Sequence, residues 1–155
     1  MHPTCPPQVF PQWLSAPESC RFVTKSAITS AVARILILDD DLALVDLVET
    51  VIREAGHSAV AAGAIEDVPG DVQIDLVMSD LIPVKPYRRE TAKAWVDALR
   101  ERYGVPIVVL TGHRAALTEP DSLGAEEVVG KPFDIEALAA RVESVLARSH
   151  ILKTP

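Results

Sequence analysis

Cysteine is scarce: the chain of 155 residues has two, Cys5 and Cys20, both within the first 33 residues and without an accompanying His cluster. That excludes a disulfide framework and a zinc site of ordinary ligand spacing. No apolar run approaches the roughly 20 residues that a membrane span needs. The start, MHPTCPPQVFPQW, lacks the continuous apolar stretch of a secretory signal. Basic clusters are also missing. The formal net charge is −7, and residues 34–155 hold 13 basic against 21 acidic groups, a balance of −8. An acidic domain without a basic face argues against direct nucleic-acid contact.

What is present is enough for one ordinary domain. Hydrophobic residues make up 48% and charged residues 24% of the chain, which excludes disorder throughout, and the length suffices to bury a full core. Residues 1–33 stand apart, with five prolines (Pro3, Pro6, Pro7, Pro11, Pro17) and no sustained apolar period. They read as an extension without fixed structure. Residues 34–149 read as the folded domain and 150–155 as a short tail, leaving no room for a second domain after it.

From Arg34 onward, short apolar runs alternate with amphipathic segments. The runs are Ile35–Leu38, Ser58–Ala61, Leu76–Ser79, Ile107–Leu110 and Val128–Val129. After the first run, Leu44, Val48, Val51, Ile52 and Ala55 recur at helical spacing up to Gly56. A second helix is expected over Thr91–Tyr103, with Ala94, Trp95, Ala98 and Leu99 inward and Gly104 as its stop. A third is expected over Asp134–Arg148, with Ile135, Leu138, Ala139, Val142, Val145 and Leu146 inward. Gly63–Asp71 and His113–Leu123, interrupted by prolines, predict short or irregular helices. Alternating β and α with continuously apolar strands predicts an α/β fold, a parallel sheet with helices on both faces.

The first run ends in ILILDDD, which stacks three like charges on the most apolar strand. Two unit charges about 4 Å apart repel by ~1 kcal/mol in water and ~4 kcal/mol near a protein surface. Asp41 fits the N-cap of the following helix, which leaves Asp39 and Asp40 to be explained. Ligand sites of open parallel sheets lie beyond the carboxyl ends of the strands. Those ends carry Asp39 and Asp40, Asp80, Thr111 and Lys131. Carboxylates collect Mg²⁺, and one of them can act as a nucleophile toward phosphorus. A hydroxyl and an ammonium stabilise the phosphoryl oxygens. His57, His113 and His150 have no ligand spacing and read as surface or turn residues.

In ILILDDD, DLVMSDLIP, PIVVLTGH and VVGKPFD, in that order, the sequence resembles the receiver domain of two-component response regulators, over Arg34 to about Arg148. The resemblance implies a flavodoxin-like, doubly wound, five-stranded parallel sheet in the order 2-1-3-4-5; a receiver is among the standing examples of that order. It implies Asp80 as phosphoacceptor, and Mg²⁺ held by Asp40, by Asp39 mostly through water, by Asp80 and by the backbone carbonyl of Ile82. Thr111 and Lys131 match the switch hydroxyl and its lysine partner. Pro132 matches a proline whose peptide bond is usually cis, and Ile82 and His113 match positions that tune dephosphorylation.

Two departures accompany the likeness. The loop DLIPVKPYRRE places Pro83 three residues past Asp80, adds Pro86, and replaces an acid and a flexible glycine by Tyr87-Arg88-Arg89-Glu90. Val128 stands where an aromatic commonly switches rotamer. A bulky Ile82 predicts slow water attack on the phosphoryl group. The expected function is a cytoplasmic, stand-alone receiver in a phosphorelay, a signalling domain rather than an enzyme. It takes its phosphoryl group from a histidine kinase or phosphotransfer protein, using Mg²⁺, and signals by protein contact. The alternatives are a receiver-like module that binds without phosphorylation and a haloacid-dehalogenase-like phosphatase. The last lacks its acidic metal motif beyond the lysine, since Asp134 and Glu136 fall in a helix.

Overall fold

All five apolar runs become strands: β1 (Arg34–Leu38), β2 (Ser58–Ala62), β3 (Leu76–Ser79), β4 (Ile107–Thr111) and β5 (Glu127–Gly130). They pair in parallel in the order β2-β1-β3-β4-β5, as the resemblance implies. The computed structural model describes residues 31–81 and 85–153. The start of the chain through residue 30, with both cysteines, and Ile82 therefore lie outside the described residues.

Parallel strands need crossovers; α1 (Leu42–Glu54), α2 (Arg89–Tyr103) and α3 (Arg114–Thr118) lie in three of them, and α4 (Ile135–Lys153) follows β5. Because side chains alternate along a strand, β1 feeds both faces of the sheet. Ile35 and Ile37 pack with Val45, Val48 and Ile52 of α1 and with Leu138, Val142 and Val145 of α4. Leu36 and Leu38 pack on the opposite face with Ala92, Val96 and Leu99 of α2 and Ala116 of α3. The connection from β2 to β3 contains only a 3₁₀ turn, Ile65–Asp67, and α3 is followed by another at Pro120–Leu123. Both are the short, irregular pieces the prolines predict.

Local chemistry sets the ends. The Asp41 carboxylate accepts the Ala43 and Leu44 N–H groups at the start of α1, satisfying donors that the first helical turn leaves free. Gly104 closes α2 at φ 63°, a conformation in which a Cβ is disfavoured, and donates its N–H to the Arg100 carbonyl at 2.7 Å.

Three expectations need correction. In α2 the inward stripe is Ala92, Val96 and Leu99, while Ala94 and Ala98 face solvent and Trp95 is half-buried at the edge. Two stripes of similar hydrophobicity run along that helix, and contact with the sheet selects the one with the small Ala92. The last helix continues through Lys153, so residues 150–153 extend it rather than forming a tail, and Ile135 at its start is exposed. His57 is buried: its Nδ1 accepts the Ala33 N–H at 3.1 Å and its Nε2 lies 2.7 Å from Glu143 Oε1 on α4. An Nδ1 that accepts leaves the proton on Nε2, so the ring donates to Glu143 and ties the α1–β2 turn to α4.

No helix among the described residues is long and apolar enough to cross a membrane.

Candidate functional site

Strand register assembles the site. Leu38 pairs with Ser79 across β1 and β3, so Asp39 and Asp80 leave the sheet side by side, and the Asp80 N–H donates to the Leu38 carbonyl at 2.8 Å. Thr111 pairs with Gly130 across β4 and β5, and the Lys131 N–H donates to the Thr111 carbonyl at 2.8 Å. The Lys131–Pro132 peptide bond is cis, as is Lys85–Pro86. Asp39, Asp40, Asp80, Thr111 and Lys131 are thus gathered at one end of the sheet, although Asp39 and Lys131 are 92 residues apart in sequence.

Asp39, Asp40 and Asp80 each offer a carboxylate oxygen within 4.8 Å of the others, the one such acidic group among the described residues. Asp39 is 1% exposed. Its Oδ2 meets Lys131 Nζ at 2.5 Å, and its Oδ1 accepts the Asp41 N–H at 2.9 Å. Lys131 Nζ also stands 3.5 Å from Asp80 Oδ2. Asp40 is exposed and has Lys85 Nζ 3.4 Å away. Three carboxylates against the partly buried Lys131 leave two negative charges, with the exposed Lys85 a weak further offset. Hard oxygen donors in that balance fit a divalent cation such as Mg²⁺, which takes one or two protein carboxylates and keeps much of its water. Both Asp39 oxygens already have partners, so Asp40 and Asp80 are the freer donors for direct ligation. The clustering of like charges at the end of β1 is thereby accounted for: a lysine offsets the buried acid, a helix uses Asp41, and the remainder suits a cation.

Thr111 is fully buried, and its Oγ1 accepts the His113 N–H at 3.1 Å. The Thr111 hydroxyl hydrogen therefore remains available for donation. The His113 ring stacks on Tyr87, with centroids 5.3 Å apart and planes at 29°, joining the loop after β4 to the loop before α2. Burial raises the Tyr87 phenol above its ordinary pKa of 10.0, with Glu119 and Glu90 adding to the rise and Arg89 opposing it. Ile82, the expected source of a backbone ligand, lies outside the described residues. Val128, in place of the usual aromatic, is half-buried and packs against the core on the α2 side.

Three features escaped the sequence reading. Lys85 was one residue of an altered loop, and nothing local marks it as a neighbour of Asp40. The Tyr87–His113 stack joins two loops with no shared pattern. Ser79 ends β3 as a buried hydroxyl, and Trp95, read only as a core residue, donates its indole N–H to Ser79 Oγ at 3.0 Å. The signal available for that pair was a polar residue inside the apolar run LVMS.

No protein-family model matches the sequence. The chain is 31% identical over 121 residues to the transcriptional regulatory protein CpxR of Escherichia coli (strain K12), covering 76% of this chain and 50% of that protein. It is 31% identical over 131 residues to the DNA-binding dual master transcriptional regulator RpaA of Synechocystis, covering 75% and 50%. The chain spans about half the length of these curated relatives. Among solved structures it is similar to NtrX from Brucella abortus, with 25% identity, a TM-score of 0.65, and coverage of 79% of this chain and 28% of that one. It is also similar to a two-component response regulator from Clostridium difficile, with 24% identity, a TM-score of 0.61, and coverage of 76% and 98%.

Proposed function

We propose that this chain, which belongs to the CheY-like receiver domains of response regulators, accepts a phosphoryl group on Asp80 from a phosphohistidine of a kinase or phosphotransfer protein. The observation that carries the reading is the convergence of Asp39, Asp40 and Asp80 within 4.8 Å around a lysine that reaches both Asp39 and Asp80. In the step, a carboxylate oxygen of Asp80 attacks phosphorus. The new O–P bond forms as the P–N bond of the donor breaks, and the departing imidazole nitrogen keeps the bonding pair. Lys131 and the Thr111 hydroxyl are the groups able to stabilise charge on the transferred oxygens. Asp40 and Asp80, with Asp39 behind them, would hold Mg²⁺, which when bound neutralises charge on the phosphoryl group.

Asp80 in its phosphorylated form carries added negative charge and three strong acceptors, enough to bias loop positions and a binding face. Output is by protein contact, in the cytoplasm; the acidic balance of the domain supports that over direct contact with nucleic acid. A metal-dependent phosphatase is disfavoured by Asp134, which accepts the Ala137 N–H at the start of α4 instead of joining the acidic cluster. The competing reading is a receiver-like module that works without phosphorylation. Lys85 beside Asp40 and the full engagement of Asp39 favour it.

Intact-mass spectrometry after incubation with Mg²⁺ and a small acyl phosphate, beside Asp80→Asn, separates the two. One phosphoryl increment in the parent and none in the variant is the expected result. No increment in the parent supports the phosphorylation-independent module.

A further inference from the structure

We infer that Ser79 and Trp95 are positioning residues for Asp80, a role that rests on Asp80 being the phosphoacceptor. Ser79 is fully buried at the last position of β3, where it pairs with Leu38 on one side and Val109 on the other. Beyond it the ladder ends, so the Asp80 carbonyl has no strand partner there. The Ser79 hydroxyl fills that role, donating to the Asp80 carbonyl at 2.7 Å. The Asp80 N–H is meanwhile held by the Leu38 carbonyl at 2.8 Å. Both peptide groups that flank the Asp80 Cα are therefore fixed, and with them the direction of its side chain toward Lys131.

Trp95 determines which way the serine points. An indole N–H only donates, so Ser79 Oγ must accept it and send its own hydrogen to the Asp80 carbonyl. A lone buried serine has no such obligation, because its hydroxyl can rotate toward any nearby acceptor. The chain Trp95 to Ser79 to Asp80 links α2 to the backbone of the acceptor, and each bond in such a series polarises the next. A buried hydroxyl without partners is costly, and Ser79 makes both bonds. The same relay makes the Trp95 indole sensitive to the state of Asp80.

The test uses the full chain, labelled with ¹⁵N, in which Trp13 and Trp95 supply two indole N–H resonances and Trp95→Phe identifies the second. Ser79→Ala and Trp95→Phe are expected to take up phosphate from a small acyl phosphate at saturating Mg²⁺ roughly three- to tenfold more slowly than the parent. Ser79→Thr, which keeps a hydroxyl, is expected to recover most of the rate. The Trp95 indole resonance should move on phosphorylation in the parent and stay in place in Ser79→Ala. Circular dichroism at the assay temperature establishes that each variant is folded, and Trp95→Phe carries the test if Ser79→Ala is not. A merely structural serine lowers the melting temperature and leaves the rate unchanged. Folded variants that label at the parent rate, or an indole resonance unmoved by phosphorylation in a parent that does label, overturn the positioning role alone. A parent that takes up no phosphate overturns the phosphoacceptor reading and this one with it.

Discussion

Lys131 Nζ lies 2.5 Å from Asp39 Oδ2 and 3.5 Å from Asp80 Oδ2, so a single ammonium neutralises a buried acid while reaching the carboxylate beside it. The lysine side chain is 23% exposed and the Asp39 side chain 2%, which makes the pair far less screened than the surface ion pairs of this protein.

Replacing Lys131 strands Asp39. Lys131→Met is expected to lower stability by about 3–5 kcal/mol in urea unfolding without metal, because a buried charge loses its partner. Added Mg²⁺ should recover part of the loss, and Asp39→Asn in the Lys131→Met background should recover most of it. Equal stability of parent and Lys131→Met would show that water reaches Asp39 freely.

Lys85 competes for the same pool of negative charge. Its pair with Asp40 is 3.4 Å long, and the two side chains are 63% and 53% exposed, so its effect is small. Lys85→Met is expected to tighten Mg²⁺ binding by about 1.4-fold to fivefold at low salt, the range that an exposed pair of about 0.2–1 kcal/mol allows. Titration calorimetry should find the difference shrinking as salt rises; an unchanged affinity would count against any role of Lys85 at the site.

Glu126 supports the edge of the sheet. It takes two 2.7 Å bonds from Arg100, and its Oε2 accepts the buried Ile107 N–H at 2.7 Å. Glu126→Ala leaves that amide without a partner and is expected to cost about 1–3 kcal/mol. Glu126→Gln keeps an acceptor and should cost less than half as much by the same denaturation assay.

Tyr87 sets a limit at high pH. Its phenol is held protonated above the ordinary value of 10.0, chiefly by burial. The folded state therefore binds more protons than the unfolded state in that range. The stability contributed by the neutral phenol is complete below pH 10.0 and lost as pH rises through the folded pKa. Ultraviolet titration should find the Tyr87 phenol ionising late in the folded chain, and Tyr87→Phe should remove that step and flatten the alkaline fall in stability.

The order of β and α elements was legible because periodicity is local: ILIL and PIVVL can only be buried strands, and Val48, Val51 and Ile52 share one face of a helix by spacing alone. Helix phase was less secure. Ala94 and Ala98 scored as inward in α2 because alanine is at home on either face, and the sheet chose Ala92 and Val96 instead. His57 was misjudged for a similar reason: both of its partners, the Ala33 N–H and Glu143, are distant in sequence, the latter by 86 residues.

By itself the sequence determined that acids, a hydroxyl and a lysine end four of the five strands, since residue type and strand period are written in neighbouring positions. Only the tertiary structure decided which of them meet. The parallel order β2-β1-β3-β4-β5 brings Lys131 onto Asp39, and the packing of α2 brings Trp95 onto Ser79 beneath Asp80. Those contacts depend on strand order, register and helix phase, which minimise exposed apolar surface and unpaired polar groups over the whole chain and leave no mark on any short stretch of it.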